Sequence, residues 1–113
     1  MNTIIINTVD FAKALADETR QKIMTICCCQ ELSVSDIVSQ LNVAQPTVSH
    51  HLKILKNAGL VRATRHGKEI FYTLNQDRLA RGCCQVAESF APDHALVILS
   101  KKRLGIPGYG DQS

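Results

Sequence analysis

Several features are missing from this sequence of 113 residues, and each absence excludes a class of protein. No apolar run approaches the roughly 18 residues of a membrane-spanning helix, so we expect no membrane association. The apolar stretch Ile4–Ile6 is too short for a signal peptide and follows no basic residue, which favours a cytoplasmic protein. The length suffices for one modest core and not for two, and no repeat or interior linker divides it. We therefore expect a single domain over residues 1–103, followed by a flexible tail over residues 104–113.

Tryptophan is also absent, whereas cysteine is unusually frequent, with five residues in two clusters. One cluster is Cys27, Cys28 and Cys29, and the other is Cys83 and Cys84. In a reducing cytoplasm such clusters indicate metal-binding, redox or packing thiols rather than the disulfide framework of a secreted protein. Cys-x-x-Cys is missing and no histidine is placed beside a cysteine as its base, so we expect no enzyme.

Positive charge is concentrated in one part of the chain. Residues 49–70 carry five basic side chains and one acidic side chain, a net charge of +4, whereas residues 1–48 sum to −2. A local cationic patch is typical of proteins that bind nucleic acid, although a solvated basic face would give the same count.

The periodicity of apolar residues predicts a mainly helical chain with one β-hairpin. Thr8 or Asp10 is expected to cap the first helix and Asp93 the last. The predicted helices span residues 9–16, 18–29, 35–41, 46–58, 76–90 and 94–102, and the hairpin has strands at 60–64 and 69–74 around a turn at 65–68.

The central elements match a winged helix-turn-helix. Residues 33–58 would form the helix-turn-helix and residues 60–74 the wing. If Val48, Leu52 and Leu55 are buried, short polar side chains face outward at the start of the second helix, where a recognition helix meets base edges. The wing can reach flanking phosphates or the minor groove. The predicted DNA-binding residues are Gln45, Thr47, Ser49, His50, Lys53, Arg62, Arg65 and Lys68.

The run from Ala14 to Leu74 resembles the ArsR family of bacterial metal- and redox-sensing repressors. The matching stretches are ALADETRQKIM, ELSVSDIVSQLNVAQPTVSHHLKILKNAGLV and RHGKEIFYTL. The resemblance implies a homodimer formed through the first and last helices, here residues 9–16 and 76–102. It also implies binding to a palindromic double-stranded operator and release when an effector binds.

The family's usual sensing sites are not reproduced in this sequence. Arsenite-responsive members commonly carry ELCVCDL, but this chain has Ser33 and Ser35 at the two cysteine positions, and a hydroxyl cannot replace a soft thiolate. Zinc- and nickel-sensing members use an Asp-x-His and a later histidine pair on the last dimer helix. Asp77 and His94 do not have that spacing.

Three interpretations of the five cysteines remain open. Packing suits Cys27 and Cys83 as small apolar side chains. A soft metal or As(III) could be held by thiolates drawn from Cys28, Cys29, Cys83 and Cys84, with no cofactor otherwise required. Oxidation could form a disulfide, possibly between neighbours within Cys27–Cys29. If the second helix continues to Cys29, its 100° step buries Cys27, half-buries Cys28 and exposes Cys29. A winged-helix module that binds protein instead of DNA is a further alternative, which the basic wing disfavours.

Overall fold

The computed structural model describes residues 7–106 of the chain. Within this range, six helices surround a small antiparallel sheet, so the structure is mainly α-helical with a winged helix-turn-helix, as predicted. The elements in chain order are α1 (Thr8–Leu15), α2 (Glu18–Ile26), β1 (Leu32–Ser33), α3 (Val34–Leu41), α4 (Gln45–Asn57), β2 (Val61–His66), β3 (Glu69–Leu74), α5 (Gln76–Phe90) and α6 (Ala95–Leu104).

Helices α3 and α4 form the helix-turn-helix. The Ser33 hydroxyl accepts from the backbone N–H of Asp36, and the Asp36 carboxylate accepts from the backbone N–H of Ser33, which is a complete capping box for α3. Asn42 adopts a left-handed backbone, with φ of 54°, and ends α3 two residues before Ala44, the cap of α4. The connection is therefore as short as the sequence predicts.

The wing is longer and its turn tighter than predicted. Strand β3 lies between β1 and β2, and the β2–β3 ladder continues out to the pair His66–Glu69. Arg65 and His66 therefore belong to β2, and the expected turn over 65–68 shrinks to Gly67 and Lys68. Gly67 has φ of 65°, which a two-residue hairpin turn requires. Strand β1 was not predicted, because its two residues are too few to show an alternating pattern.

The prediction that α2 continues to Cys29 is wrong. The helix ends at Ile26, and Cys27 is its C-cap, with φ of −92° and ψ of 1°. The Cys27 carbonyl accepts from the backbone N–H of Leu74, so the wing satisfies a carbonyl at the helix end. The chain then turns through Cys28 and Cys29 toward β1. We call Cys27, Cys28 and Cys29 the cysteine turn.

The helices at the two ends differ from prediction mainly in their caps. Asn7, rather than Thr8 or Asp10, caps α1, because its side chain accepts from two backbone N–H groups of the first turn. His94, rather than Asp93, caps α6 through its ring nitrogen. Helix α5 has the predicted bounds, with Asn75 as its cap. Helix α6 extends to Leu104, so the expected tail cannot begin there. Residues 1–6 of the expected domain and residues 107–113 of the expected tail lie outside the described residues.

One core joins the elements that carry the DNA-binding unit. Its buried side chains come from α1, α2, α3, α4 and the start of the wing, and they include Phe11, Ile23, Ile37, Leu52, Leu55 and Leu60. Among residues 7–106, no helix has the length and apolarity needed to cross a membrane.

Candidate nucleic-acid interface and thiol site

Helix α4 has one buried face and one polar face. Val48, Leu52 and Leu55 are buried in the core. The five residues predicted to read DNA from this helix are all exposed: Gln45, Thr47, Ser49, His50 and Lys53. Pro46 lies in the first turn of α4, where its missing N–H costs no helical hydrogen bond.

The wing carries the other three predicted contacts. Arg62 and Arg65 lie on β2 and Lys68 lies in the turn, and all three are exposed. Arg62 donates to the Asn75 side chain at 3.3 Å and Arg65 to the Gly67 carbonyl at 3.4 Å, which leaves both guanidinium groups accessible to solvent. The exposed cations therefore lie along one strand and its turn, as phosphate contacts from a wing require.

The cysteine turn brings two sulfur atoms together. Cys28 Sγ and Cys29 Sγ are 3.0 Å apart, with Cys28 half-buried and Cys29 exposed. The contact with Cys29, followed by partial burial, raises the pKa of the Cys28 thiol. Cys27 is fully buried, and burial raises its pKa to about 11. The predicted burial order of the three cysteines is confirmed, although the helix on which it was argued ends before them.

Hydrogen bonds accepted by its backbone carbonyls attach the cysteine turn to the wing and to α5. The Cys27 carbonyl accepts from Leu74 N at 2.9 Å and from Thr73 Oγ1 at 3.3 Å. The Cys28 carbonyl accepts from Gln76 Nε2 at 2.8 Å. Residues 73–76 form the junction between β3 and α5, so a change in the shape of the turn acts directly on that junction.

The segment that follows the turn is also attached to the wing. Glu31 Oε1 lies 3.0 Å from His66 Nε2 at the far end of β2. Leu32 and Ser33 then pair with Tyr72 and Phe71 of β3 before α3 begins. The cysteine turn is therefore connected within a few residues to both halves of the DNA-binding unit.

The second cysteine cluster lies in a different environment. Cys84 is buried, so packing within one chain explains it, whereas Cys83, the cysteine expected to pack, is exposed in the single chain. The helical repeat turns Cys83 outward with Ala80 and Ala87, and all three line an apolar cavity of about 640 Å³ between α5 and α6. Burial raises the pKa of both thiols, and for Cys84 the nearby Glu88 carboxylate raises it further while Lys101 lowers it.

The two cysteine clusters do not form one site within a chain. Cys28 lines a separate cavity with Leu15, Met24 and Leu79. Throughout residues 7–106, no three side chains among His, Cys, Asp and Glu are grouped closely enough to hold a metal ion. Within the described residues of one chain, Cys28 and Cys29 are therefore two neighbouring thiols without a third possible ligand grouped beside them.

Sequence reasoning missed a polar contact on the inner side of α4. Arg20 Nη1 lies 3.0 Å from His51 Nδ1, and the His51 side chain is only 13% exposed. The burial of His51 could be predicted, because it lies three residues after Val48 and four before Leu55 on the buried face, but its contact with Arg20 could not.

This geometry defines the class of protein. A helix-turn-helix with an exposed polar recognition helix and a basic wing is a DNA-binding regulator. Residues 17–63 match the family described as bacterial regulatory protein, arsR family.

The chain belongs to the arsR family, which the relatives and solved structures support. It is 35% identical over 105 residues to the probable mercury resistance operon repressor of Streptomyces lividans, covering 93% of this chain and 82% of that protein. It is 40% identical over 63 residues to the transcriptional repressor SdpR of Bacillus subtilis, covering 56% and 70%. It is 36% identical over 67 residues to the arsenical resistance operon repressor of Staphylococcus xylosus, covering 59% and 64%.

The fold agrees with that assignment. An ArsR-like transcriptional regulator from Rhodococcus sp. RHA1 is 26% identical to this chain and superimposes with a TM-score of 0.69, covering 86% of this chain and 91% of that one. The family and these relatives are transcriptional regulators, so the prediction that the chain is not an enzyme is confirmed.

Proposed function

We propose that this protein is a homodimeric operator-binding repressor that a thiol-binding metal or metalloid releases from DNA by reacting at Cys28 and Cys29. One observation carries the proposal: two accessible sulfur atoms lie 3.0 Å apart in a turn whose backbone is hydrogen-bonded to the wing and α5. A ligand that binds these sulfurs would change the shape of the turn, and the hydrogen bonds would pass that change to the elements that would hold DNA.

The DNA-binding part of the proposal rests on charge and exposure. The outward face of α4 supplies amide, hydroxyl, imidazole and ammonium groups that can pair with base edges and phosphates. Arg62, Arg65 and Lys68 extend the cationic surface along the wing. Double-stranded DNA is the partner that this combination fits.

The dimer part rests on apolar surface that one chain leaves uncovered. Leu96 is 67% exposed and Phe90 is 86% exposed, and Val9, Ile98 and Leu99 are also exposed. All of them lie on α1, α5 or α6, the helices outside the DNA-binding unit. In the proposed dimer, a second copy covers this surface. The two α4 helices would then enter successive major grooves, whose centres are about 34 Å apart.

The effector part rests on ligand chemistry and on the relatives. Thiolates are soft ligands that select soft ions. Two relatives are named for mercury and arsenical resistance, which favours the same effector class here. Cys28 and Cys29 supply two thiolates, enough for a two-coordinate ion. As(III), which takes three, would draw its third from Cys83 or Cys84 of a partner subunit or from a small thiol.

A specific observation also favours a second candidate, a redox switch. The Cys28–Cys29 contact is close enough for the sulfurs to join with little movement. Hydrogen peroxide would oxidise the two thiols to one disulfide and be reduced to two molecules of water. The ring closed by neighbouring cysteines constrains the peptide between them, so the turn would change shape.

A binding experiment with matched variants tests the proposal. Binding to random-sequence duplex DNA should weaken steeply with salt, because phosphate contacts release counterions. Mercury(II) or arsenite should then release the wild type but not the Cys28→Ser/Cys29→Ser variant. With mercury(II), which needs only two thiolates, Cys83→Ser/Cys84→Ser is the matched control and should still be released. Salt-independent binding would refute the repressor, and equal release of the wild type and the Cys28→Ser/Cys29→Ser variant would refute the thiol site.

A further inference from the structure

The guanidinium group of Arg20 joins three helices. Its Nε donates to the Ala14 carbonyl at 2.8 Å and its Nη2 donates to the Lys13 carbonyl at 3.0 Å, both in the last turn of α1. Its Nη1 lies 3.0 Å from Nδ1 of His51 on α4. Arg20 itself is in the first turn of α2, so one side chain fixes α1, α2 and α4 together.

The chemistry of arginine sets the state of His51. A guanidinium group can only donate hydrogen bonds, so His51 Nδ1 must accept and its proton must lie on Nε2. His51 Nε2 faces the Asp17 carboxylate, with 3.8 Å between Nε2 and Oδ2. Asp17 also accepts from the Arg20 backbone N–H at 3.0 Å as the cap of α2. Arg20, His51 and Asp17 therefore form a closed polar network, which we call the α4 anchor.

His51 of the α4 anchor lies about 160° around the helix from Ser49 and Lys53 and about 100° from His50, whereas Thr47 precedes it by about one turn. His51 is half-buried, whereas its neighbours Ser49 and His50 are exposed. Because each residue turns the helix by 100°, a rotation that breaks the His51 contact also turns Thr47, Ser49 and His50 away from a groove. Apolar contacts alone resist rotation less, because they are not directional.

We propose that Arg20 and His51 are positioning residues that fix the rotational setting of α4 relative to α1, and that operator affinity depends on this setting without either side chain touching DNA. The inference rests on the proposed function, because it requires that α4 reads DNA. It also gives α1, a helix of the proposed dimer, a direct polar connection to the recognition helix.

The test separates positioning from direct contact through the salt dependence of binding. The probe is a duplex enriched from a random 30-base-pair library by the wild-type protein. His51→Leu and Arg20→Met should each weaken binding about tenfold, which corresponds to a lost hydrogen bond to a charged group. The slope of log affinity against log salt should not change. Lys53→Ala, as a phosphate-contact control, should lower that slope by about 0.9.

Rescue by a conservative variant tests the hydrogen bond itself. His51→Asn places an amide oxygen where Nδ1 accepts, so it should bind within about threefold of wild type, while His51→Leu does not. Nitrogen-15 NMR of wild-type protein should show an unprotonated Nδ1 and a protonated Nε2 at His51. Both the affinity and the NMR measurement require folded protein. Urea titration of each variant verifies that it is folded.

Several results would overturn the inference. A salt slope that falls by about one phosphate in Arg20→Met would make Arg20 a DNA contact. Unchanged affinity in His51→Leu, or a proton on Nδ1 in the wild type, would remove the positioning role while the repressor proposal stands. Failure of the wild type to enrich any duplex would instead refute the proposed function, and the positioning role with it.

Discussion

The backbone carbonyl of Cys27 accepts a hydrogen bond from the backbone N–H of Leu74 at 2.9 Å. This bond joins the end of α2 to the last residue of the wing, 47 positions along the chain. It explains why α2 stops where it does and why the next two cysteines lie in a turn. It also places Cys28 and Cys29 beside the junction of β3 and α5. Only a few atoms therefore separate their sulfurs from the DNA-binding unit.

Gln76 is expected to transmit the effector response. Gln76→Ala removes the 2.8 Å bond to the Cys28 carbonyl, so the turn can change shape without moving α5. Affinity of the reduced protein for DNA should stay within about twofold. The release caused by mercury(II), roughly 5–150-fold for a typical coupling, should become smaller but not vanish, because the Leu74 and Thr73 bonds to the Cys27 carbonyl remain. Ser89→Ala, which loses only a bond within α5, is the control. Full release in Gln76→Ala would contradict this route.

Cys27 should make stability fall at high pH. Its folded pKa is raised to about 11 from an ordinary 9.0, so the folded state keeps the thiol proton after the unfolded state has lost it. The free energy of unfolding should therefore fall by about 1.4 kcal/mol per pH unit between pH 9 and 11 and stay unaffected below pH 9. In urea titrations, the free energy of unfolding should fall more steeply with pH in the wild type than in Cys27→Ala. Equal pH dependence in the two proteins would contradict it.

Ser33 has a structural role at a position where arsenite-responsive members carry cysteine. Ser33→Ala removes the cap of α3 and should lower the free energy of unfolding by about 1 kcal/mol. Ser35→Ala, at the other position and exposed, should change it by less than about 0.5 kcal/mol. Urea denaturation of both variants tests this difference, and equal effects would show that the capping box contributes little.

Gly82 allows α1 and α5 to pack closely. A Cβ at Gly82 would overlap the buried ring of Phe11. Gly82→Ala should therefore destabilise the protein by about 1–3 kcal/mol, although alanine favours a helix. Phe11→Leu/Gly82→Ala should be more stable than the sum of the two single changes predicts, because the smaller side chain leaves room. Additive effects in thermal or urea unfolding would contradict this packing account.

The sequence predicted the parts of the fold that have strong local signals. The capped and periodic stretches at α3, α4 and α5 give nearly the observed helices, and the alternation on either side of Gly67 gives the wing. The end of α2 could not be predicted, because the bond that ends it comes from Leu74, far along the chain. Strand β1 depends in the same way on pairing with β3.

The candidate site was predicted in residue type more than in arrangement. The exposed face of α4 followed from helical spacing, and so did the burial of Cys27. The close contact of Cys28 and Cys29 arises in a turn whose shape depends on Thr73, Leu74 and Gln76. The α4 anchor requires Arg20 to reach past α1 to α4, which no local pattern encodes.

Operator release measured together with thiol counts and native mass tests whether metal binding at Cys28 and Cys29 releases the protein from DNA. The wild-type protein on its selected duplex should be treated separately with mercury(II), arsenite and hydrogen peroxide. With mercury(II), we predict release accompanied by loss of two titratable thiols per chain and a bound metal in the native mass. With arsenite, we predict release accompanied by loss of two or three thiols per bound As(III), and neither reagent should release Cys28→Ser/Cys29→Ser. A two-thiol loss without added metal mass, reversed by dithiothreitol, would select the disulfide instead. Release with all five thiols still titratable and no added mass would contradict both.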